Sequence, residues 1–311
     1  MIPLLLAASL ALGRSPAAPC KAPADTLTVI LLGTGTPVPD PGHQGPAVAV
    51  TVGGRIFIFD AGPGVVRQMA AAGLPVRGGP VTRLFLTHLH SDHTLGYPDL
   101  IFTSWVMGRR RPLEVVGPPG TRAMTDHLLA AWRQDIEVRT RGLEREPADG
   151  YLVHVREVRE AVVYDSADVR VTAFPVPHGS MPVSLAYRLQ SPEGTVVISG
   201  DTGPSQAIEA AARGAELLLH EVYPEGRLAP EARPGGDEWP RYMRSFHTSD
   251  RELGAIAARA RPGVLVLYHI VRMGGTDAEL RQGIREGGFD GPVVIGSDLQ
   301  RFTVVGHRVG D

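Results

Sequence analysis

The sequence predicts a mixed α/β domain built around β-sheets, and three observations support this fold class. From Leu27 onward, apolar runs of strand length alternate with runs that have the spacing of a helix, and no low-complexity linker interrupts them. Two strand-like runs flank Gly53-Gly54, which is typical of a β-hairpin and therefore of antiparallel sheet. Polar residues follow the ends of several apolar runs, as they do where buried strands end at a site. We therefore predict one domain from residue 23 to residue 311.

The first half of the chain contains the predicted hairpin and three amphipathic runs. The predicted strands are residues 27–32, 47–52, 55–59, 84–87 and 113–116, and the predicted helices are residues 65–72, 99–107 and 121–132. The glycines in Gly33-Thr34-Gly35-Thr36-Pro37 indicate a turn, because no third glycine, lysine or helix follows to make a phosphate-binding loop. Arg109-Arg110-Arg111 is interpreted as a solvated turn. Asp60 ends the hairpin and is predicted to orient a ligand imidazole.

The second half carries short strands, predicted at 152–158, 169–174, 184–189 and 196–199, and most of them end at a polar residue. The residues after these or similar apolar runs are His178, Asp201, His220-Glu221 and His269. In sandwich and α/β architectures such residues gather along one edge of the sheet. Any one of these histidines alone would more often be a satisfied core or surface residue, but together they predict a site.

The densest cluster of such residues is Thr87-His88-Leu89-His90-Ser91-Asp92-His93, directly after the apolar run 84–86. His88 and His90 are two positions apart in a loop and can turn toward one point, while Asp92 and His93 face a neighbouring point. Imidazole and carboxylate are ligands that zinc and similar divalent ions accept. Three histidines and an aspartate at fixed offsets are rarely a coincidence, so the stretch predicts a metal site rather than a polar loop.

Composition limits the classes of partner. At 43% hydrophobic residues the chain can bury a large core, and a net charge of −2 offers no basic field for a phosphate backbone. We therefore expect a small substrate rather than nucleic acid. No stretch approaches the ~18 apolar residues of a membrane-spanning helix.

The first 22 residues have the shape of a signal peptide. The apolar run 2–12 is too short to span a membrane and is followed by small residues, although no basic residue precedes it. Cys20, the one cysteine, lies at the edge of this segment. We predict an exported protein, periplasmic or secreted, with no disulfide.

The order His88-x-His90-x-Asp92-His93, then His178, Asp201 and His269, resembles the metallo-β-lactamase superfamily. The resemblance covers nearly the whole mature chain and implies a four-layer αββα sandwich with a dinuclear metal centre at one edge of the two sheets. It implies that one metal is bound by His88, His90 and His178, the other by Asp92, His93 and His269, and that Asp201 bridges both. Two zinc ions are expected, with iron or manganese as alternatives, because these ligands accept all three.

Further motifs are similar to the ribonuclease Z branch of that superfamily. They are Gly200-Asp201-Thr202, His220-Glu221-Val222-Tyr223 and His247-Thr248-Ser249. Gly33-Thr34-Gly35-Thr36-Pro37 and Leu95-Gly96-Tyr97-Pro98-Asp99-Leu100 look more like exported, arylsulfatase-like members. Transfer-RNA processors of the branch carry a long Gly/Pro-rich arm after the histidine matching His178, and here only a strand and a short turn lie before Asp201.

The resulting prediction is a two-metal hydrolase of anionic esters, either aryl sulfate esters or phosphodiesters, with a metal-bridging hydroxide as nucleophile. Its predicted catalytic residues are Asp92, Asp201, Glu221 and His247. Glu221 and His247 are predicted to form an orienting pair, in which His247 donates a hydrogen bond to the anionic ester or a proton to the leaving group. The alternatives are a ribonuclease Z that trims transfer RNA at its 3′ end, a lactonase or β-lactamase, and a metal-stabilised binding protein without turnover. The family also suggests a homodimer. His43, His127, His154 and His307 have no motif support and are assigned to surface or core, with a place at the border of the pocket as the alternative for His43, because its Pro/Gly-rich loop follows the first strand.

Overall fold

The computed structural model describes residues 26–166 and 168–310, and its central feature is a pair of β-sheets packed face to face. The strands are β1 (Leu27–Gly33), β2 (Ala47–Val52), β3 (Arg55–Phe59), β4 (Arg83–Phe85), β5 (Leu113–Gly117), β6 (Val153–Glu157), β7 (Ala161–Asp165), β8 (Arg170–Val176), β9 (Ser184–Ser191), β10 (Gly194–Ile198), β11 (Leu217–Val222), β12 (Val264–Ile270), β13 (Val293–Ile295), β14 (Arg301–Val305) and β15 (Arg308–Gly310). The helices are α1 (Val65–Ala71), α2 (Ser91–Thr94), α3 (Tyr97–Val106), α4 (Thr121–Ala131), α5 (Arg133–Arg141), α6 (Gln206–Ala211), α7 (Trp239–Phe246), α8 (Asp250–Ala260) and α9 (Asp277–Glu286). The predicted signal peptide lies outside the described residues.

The direction of the strands places their carboxyl ends at one edge. The first sheet has the order β15-β14-β1-β2-β3-β4-β5-β6, and the second has the order β13-β12-β11-β10-β9-β8-β7. Strands β3 and β4 are parallel, as are β10, β11 and β12. Because β9 is antiparallel to both β8 and β10, those two strands also run in the same direction. The residues that follow β3 and β4 therefore leave the first sheet at the same edge. The residues that follow β8, β10, β11 and β12 leave the second sheet at the same edge.

Apolar side chains fill three interfaces, which define four layers. Between the sheets, Phe59 stacks on Phe85 with ring centroids 5.0 Å apart, and Tyr187 donates a hydrogen bond to the carbonyl of Leu86 at 2.7 Å. A second cluster lies between the first sheet and α1 and α3, and a third lies between the second sheet and α6, α8 and α9. Burial of each large apolar side chain contributes about 1.5–3 kcal/mol. The αββα sandwich that the resemblance implies is confirmed.

Turns and helices were predicted correctly where apolar residues recur at a regular spacing in the sequence. The predicted hairpin is present, with φ of +55° at Gly53 and +74° at Gly54, a backbone that glycine adopts without steric cost. In the part of the chain that it describes, the structure adds six helices that were not predicted, α2 and α5 to α9. Of these, α5 has only Ile136 buried and therefore shows no apolar stripe in the sequence. Strands β7 and β13 to β15 were also not predicted, since they are short or half exposed.

The prediction of a solvated turn at residues 109–111 is wrong for its first arginine. Arg109 is fully buried and donates hydrogen bonds to the carbonyl oxygens of Leu100, Ile101 and Gly150 at 2.9–3.2 Å. Burial lowers its pKa to about 10. The five donors of a guanidinium suit this role, because buried carbonyl oxygens need partners.

Among the residues that the structure describes, every helix is too short or too polar to span a membrane.

Candidate metal centre

The histidine-rich stretch is divided between a loop and a short helix. Strand β4 ends at Phe85, His88 lies in the following loop, and His90 is the residue that precedes α2. Asp92 and His93 lie in the single turn of α2, so their side chains leave the backbone in a different direction from those in the loop. The change from loop to helix therefore separates the two halves of the motif.

The first group consists of His88, His90, His178 and Asp201, whose ligand atoms all lie within 4.8 Å of one another. Nδ1 of His90 lies 3.0 Å from Nε2 of His88 and 3.2 Å from Nε2 of His178. Oδ2 of Asp201 is 3.9 Å from Nε2 of His88. Three ring nitrogens and a carboxylate oxygen thus face one point, which is an arrangement that could hold a divalent cation.

The second group consists of Asp92, His93 and His269. Oδ2 of Asp92 lies 3.1 Å from Nε2 of His269 and 3.6 Å from Nε2 of His93. Oδ1 of Asp201 is 3.3 Å from Nε2 of His93 and 3.6 Å from Nδ1 of His269. One carboxylate oxygen of Asp201 therefore faces each group, as the predicted bridge requires.

Unpartnered buried atoms test whether these residues fit a metal. Nε2 of His93, Oδ1 of Asp201 and Nδ1 of His269 are buried and have no hydrogen-bond partner among residues 26–166 and 168–310. A buried polar atom left unpaired costs about 1–3 kcal/mol, so three in one place indicate a missing partner. The atoms are imidazole nitrogens and a carboxylate oxygen, which are donors that zinc, iron and manganese accept. The residues present fit a pair of divalent cations.

The protonation states also suit metal binding. Burial lowers the pKa of His88 well below its usual value, and it lowers the pKa of His178 to about 4. Burial alone would raise the pKa of Asp201, but His269 and His93 hold it well below its usual range. Burial alone would lower the pKa of His93, but the carboxylates of Asp201 and Asp60 raise it, so a bound cation would replace the proton on this ring. Ligands must be deprotonated before a metal binds.

Asp60 orients the ligand loop, as the sequence predicted. Its Oδ2 lies 2.8 Å from Nδ1 of His93, and its Oδ1 accepts a hydrogen bond from the backbone N–H of Thr87 at 2.8 Å. The hydroxyl of Thr87 lies 2.9 Å from Nδ1 of His88. Asp60 has a φ of +58°, which Asp and Asn tolerate better than most residues. The carboxylate thus fixes which ring nitrogens face the metal groups.

We expect Asp60→Asn to weaken zinc binding by about 10–100-fold, because the amide keeps the shape and the backbone conformation but removes the charge behind His93. Competition with a fluorescent zinc chelator measures the change. Asp126→Asn, on the exposed face of α4, is the control and should bind zinc as the parent does. Unchanged affinity in Asp60→Asn would show that its hydrogen bonds serve only the fold.

Glu221 and His247 form a buried pair beside the metal groups. Nδ1 of His247 lies 3.2 Å from Oε2 of Glu221, and Oε1 of Glu221 accepts a hydrogen bond from the backbone N–H of Thr248 at 2.9 Å. Helix α7 ends before His247, and Ser249 caps α8 by accepting a hydrogen bond from the N–H of Glu252. The motif His247-Thr248-Ser249 therefore combines a helix cap with an imidazole in extended backbone.

The two members of this pair influence each other's pKa. Burial raises the pKa of Glu221, and His247 opposes that rise. Burial alone would lower the pKa of His247, but the carboxylate of Glu221 raises it. A histidine that favours the protonated state is suited to donate a hydrogen bond or a proton.

A cavity of about 810 Å³ opens over the metal groups. Its lining includes His90, Asp92, Asp201, His247 and His269. Its wall also includes His43, for which the Pro/Gly-rich loop after the first strand was the one indication in the sequence. No motif in the sequence predicted Arg233, Trp239, Tyr242 or Arg272, which line the same cavity.

Other residues that the sequence left undecided lie outside this cavity. Tyr97, Trp105 and Tyr223, which could have lined a pocket or packed, are buried in the protein. His220 is also buried, and it belongs to neither metal group in the described residues.

Comparison with known proteins agrees with this geometry. Residues 55–270 match the family model described as "Beta-lactamase superfamily domain", a range that contains every predicted site residue. The chain is 36% identical over 287 residues to a curated Ribonuclease Z of Mycobacterium sp. (strain KMS), covering 89% of this chain and 96% of that protein. The chain belongs to the metallo-β-lactamase superfamily. A Ribonuclease Z of Mycobacterium marinum (strain ATCC BAA-535 / M) is 33% identical over 288 residues and is covered to 99% of its length.

Solved structures show the fold of this superfamily member independently. The metallo-β-lactamase fold protein YhfI from Bacillus subtilis superposes with a TM-score of 0.66 at 18% identity, over 90% of this chain and 100% of that chain. Human short-form tRNase Z superposes with a TM-score of 0.65 at 22% identity, over 88% of this chain and 98% of that chain. Both likenesses concern the fold alone.

Proposed function

We propose that the protein is a two-metal phosphodiesterase of the ribonuclease Z type that cleaves RNA. The observation that carries this proposal is the 33–36% identity to proteins named Ribonuclease Z over almost their whole length. The matched family region also contains both metal groups and the Glu221–His247 pair. This proposal reverses the order that the sequence suggested, in which an aryl sulfate or small phosphodiester came first and ribonuclease Z second.

The proposed site residues have two roles, metal binding and protonation of the leaving group. His88, His90 and His178 would hold one ion, Asp92, His93 and His269 the other, and Asp201 both. Zinc is the first choice and iron or manganese the alternatives. Such ions, when bound, lower the pKa of water and stabilise negative charge on a phosphoryl group. His247 donates a hydrogen bond or a proton to the leaving oxygen, and Glu221 holds the imidazole in place.

A second candidate is hydrolysis of a small anionic ester by an exported enzyme. The observation that favours it is the direct β9–β10 hairpin between His178 and Asp201, in which no long arm is inserted. The net charge of −2 and the predicted signal peptide point in the same direction. The 33–36% identity to Ribonuclease Z over 96–99% of the length of those proteins favours the first candidate over this one.

A substrate panel tests the proposal. The zinc-loaded protein is incubated with a precursor transfer RNA carrying a 3′ trailer, bis(p-nitrophenyl) phosphate, p-nitrophenyl sulfate, a lactone and nitrocefin, each with and without a chelator. We expect chelator-sensitive release of the trailer at one position. Turnover of the sulfate ester without RNA cleavage would favour the second candidate. If no substrate is turned over at full metal occupancy, the result would favour a metal-stabilised binding protein.

The Glu221–His247 pair is expected to act as a unit. Glu221→Gln should lower kcat while leaving metal content unchanged, because it removes the charge that holds the imidazole. The double variant Glu221→Gln/His247→Ala should be no slower than His247→Ala alone, since groups that act through each other are not additive. Steady-state kinetics of the four proteins measure the coupling. Additive losses would show that the two side chains act separately.

A further inference from the structure

His43 brings a further imidazole into the cavity, on the loop between β1 and β2. It lines the same cavity as His90, Asp92 and His269, and its side chain is 34% exposed. It belongs to neither metal group. Its placement is therefore that of a residue that can meet a substrate, and not that of the surface or core histidine that the sequence suggested.

A chain of hydrogen bonds determines which nitrogen of His43 carries the proton. The hydroxyl of Thr34 donates its proton to Oδ1 of Asp298 at 2.7 Å. That hydroxyl also lies 2.8 Å from Nδ1 of His43, and because its own proton is already engaged, it accepts from the ring. In a neutral imidazole with a proton on Nδ1, Nε2 carries a lone pair. Within the described residues, Nε2 of His43 makes no hydrogen bond.

The loop that carries His43 is held at both ends by the same carboxylate. Oδ1 of Asp298 accepts from the N–H of Thr34 at 2.9 Å, and Oδ2 accepts from the N–H of Gln44 at 2.7 Å and from Nε2 of Gln68 at 2.9 Å. The N–H of Gly35 donates to the carbonyl of Gln44 at 2.8 Å, and a Cβ at Gly35 would lie 2.7 Å from that oxygen. The loop is therefore closed tightly, and it presents the ring in one orientation.

We propose that Nε2 of His43 accepts a hydrogen bond from a hydroxyl of the substrate, and that this hydroxyl is the ribose 2′-OH beside the scissile phosphate. The inference rests on the proposed function. A lone pair cannot bind the oxygens of an ionised phosphate, which are themselves acceptors, so it selects a donor. The 2′-OH is the donor that lies next to the phosphate in RNA and is absent from DNA. Thr34 and Asp298 are positioning residues that fix the ring.

The test compares a precursor RNA with the same RNA carrying one 2′-deoxynucleotide on the 5′ side of the cleaved bond. The wild-type protein should lose about tenfold in kcat/KM on the deoxy substrate, since a lone pair is left unpaired. His43→Leu should cleave both substrates at the same, lower rate. Thr34→Val should lose the preference, and Thr34→Ser, which keeps the hydroxyl, should retain it. His127→Leu, on the exposed side of α4, is the matched control.

Equal cleavage of both RNAs by the wild-type protein, or a preference that survives in His43→Leu, overturns the inference and leaves the proposed function intact. Where the RNA is not cleaved at all, the proposed function fails, and calorimetry of the zinc-loaded protein decides the inference. Uridine 3′-monophosphate should then bind about tenfold more tightly than 2′-deoxyuridine 3′-monophosphate, and only while His43 is present. Equal or absent binding of the two nucleotides overturns the inference.

Discussion

Asp201→Ala is expected to lose bound metal and activity together. Its two carboxylate oxygens face different metal groups, and it carries the negative charge between them. Without it, the charge of a bound pair of cations is less compensated and neither group has its shared ligand. We expect kcat/KM to fall by ~10³-fold or more, because metal-ion catalysis supplies several kcal/mol of transition-state stabilisation. Elemental analysis and steady-state kinetics measure the two effects.

Two further variants make this result interpretable. Asp201→Asn keeps the volume and removes the charge, so metal loss in both variants assigns the effect to charge rather than to a cavity. Asp126→Ala, on the exposed face of α4, should retain metal and activity. Full metal occupancy in Asp201→Ala would contradict its assignment as the bridging residue.

His247→Ala is expected to separate catalysis from metal binding. His247 belongs to neither metal group, yet it lines the cavity above them and pairs with Glu221. A positioned general acid contributes typically ~10²–10⁴-fold, so activity should fall within that range while metal content stays at the parent level. Activity on the substrate that the panel identifies is compared between His247→Ala and the exposed control His127→Ala. Parent-like turnover, or loss of metal, would show that the role is wrong.

Much of the metal centre could be predicted because its residues follow recognisable local patterns. His88 and Asp92 belong to one short motif, and His178 and Asp201 come after buried strands whose apolar runs are clear in the sequence. The family resemblance supplied the layer order, which the packing of the two sheets confirms. Local pattern and tertiary structure agree at these positions.

The rest depends on contacts between residues far apart in the chain. The orientation of His43 is set through Thr34 by Asp298, which is 264 residues further along the chain from Thr34. Burial of Arg109 depends on carbonyl oxygens that only the folded chain brings together, including that of Gly150. Trp239 reaches the cavity through the packing of α7, for which the sequence shows no motif. A run of arginines or an isolated histidine in the sequence does not indicate which distant residues its side chains will contact in the folded protein.

The most direct test of the account is a crystal structure of the metal-loaded protein with anomalous scattering measured at the zinc edge. We predict two peaks about 3.5–4 Å apart, as in other two-metal sites. One should lie among His88, His90 and His178, the other against His93 and His269, with Asp201 between them. A single peak, or peaks away from these side chains, would contradict the dinuclear centre on which the proposed function depends.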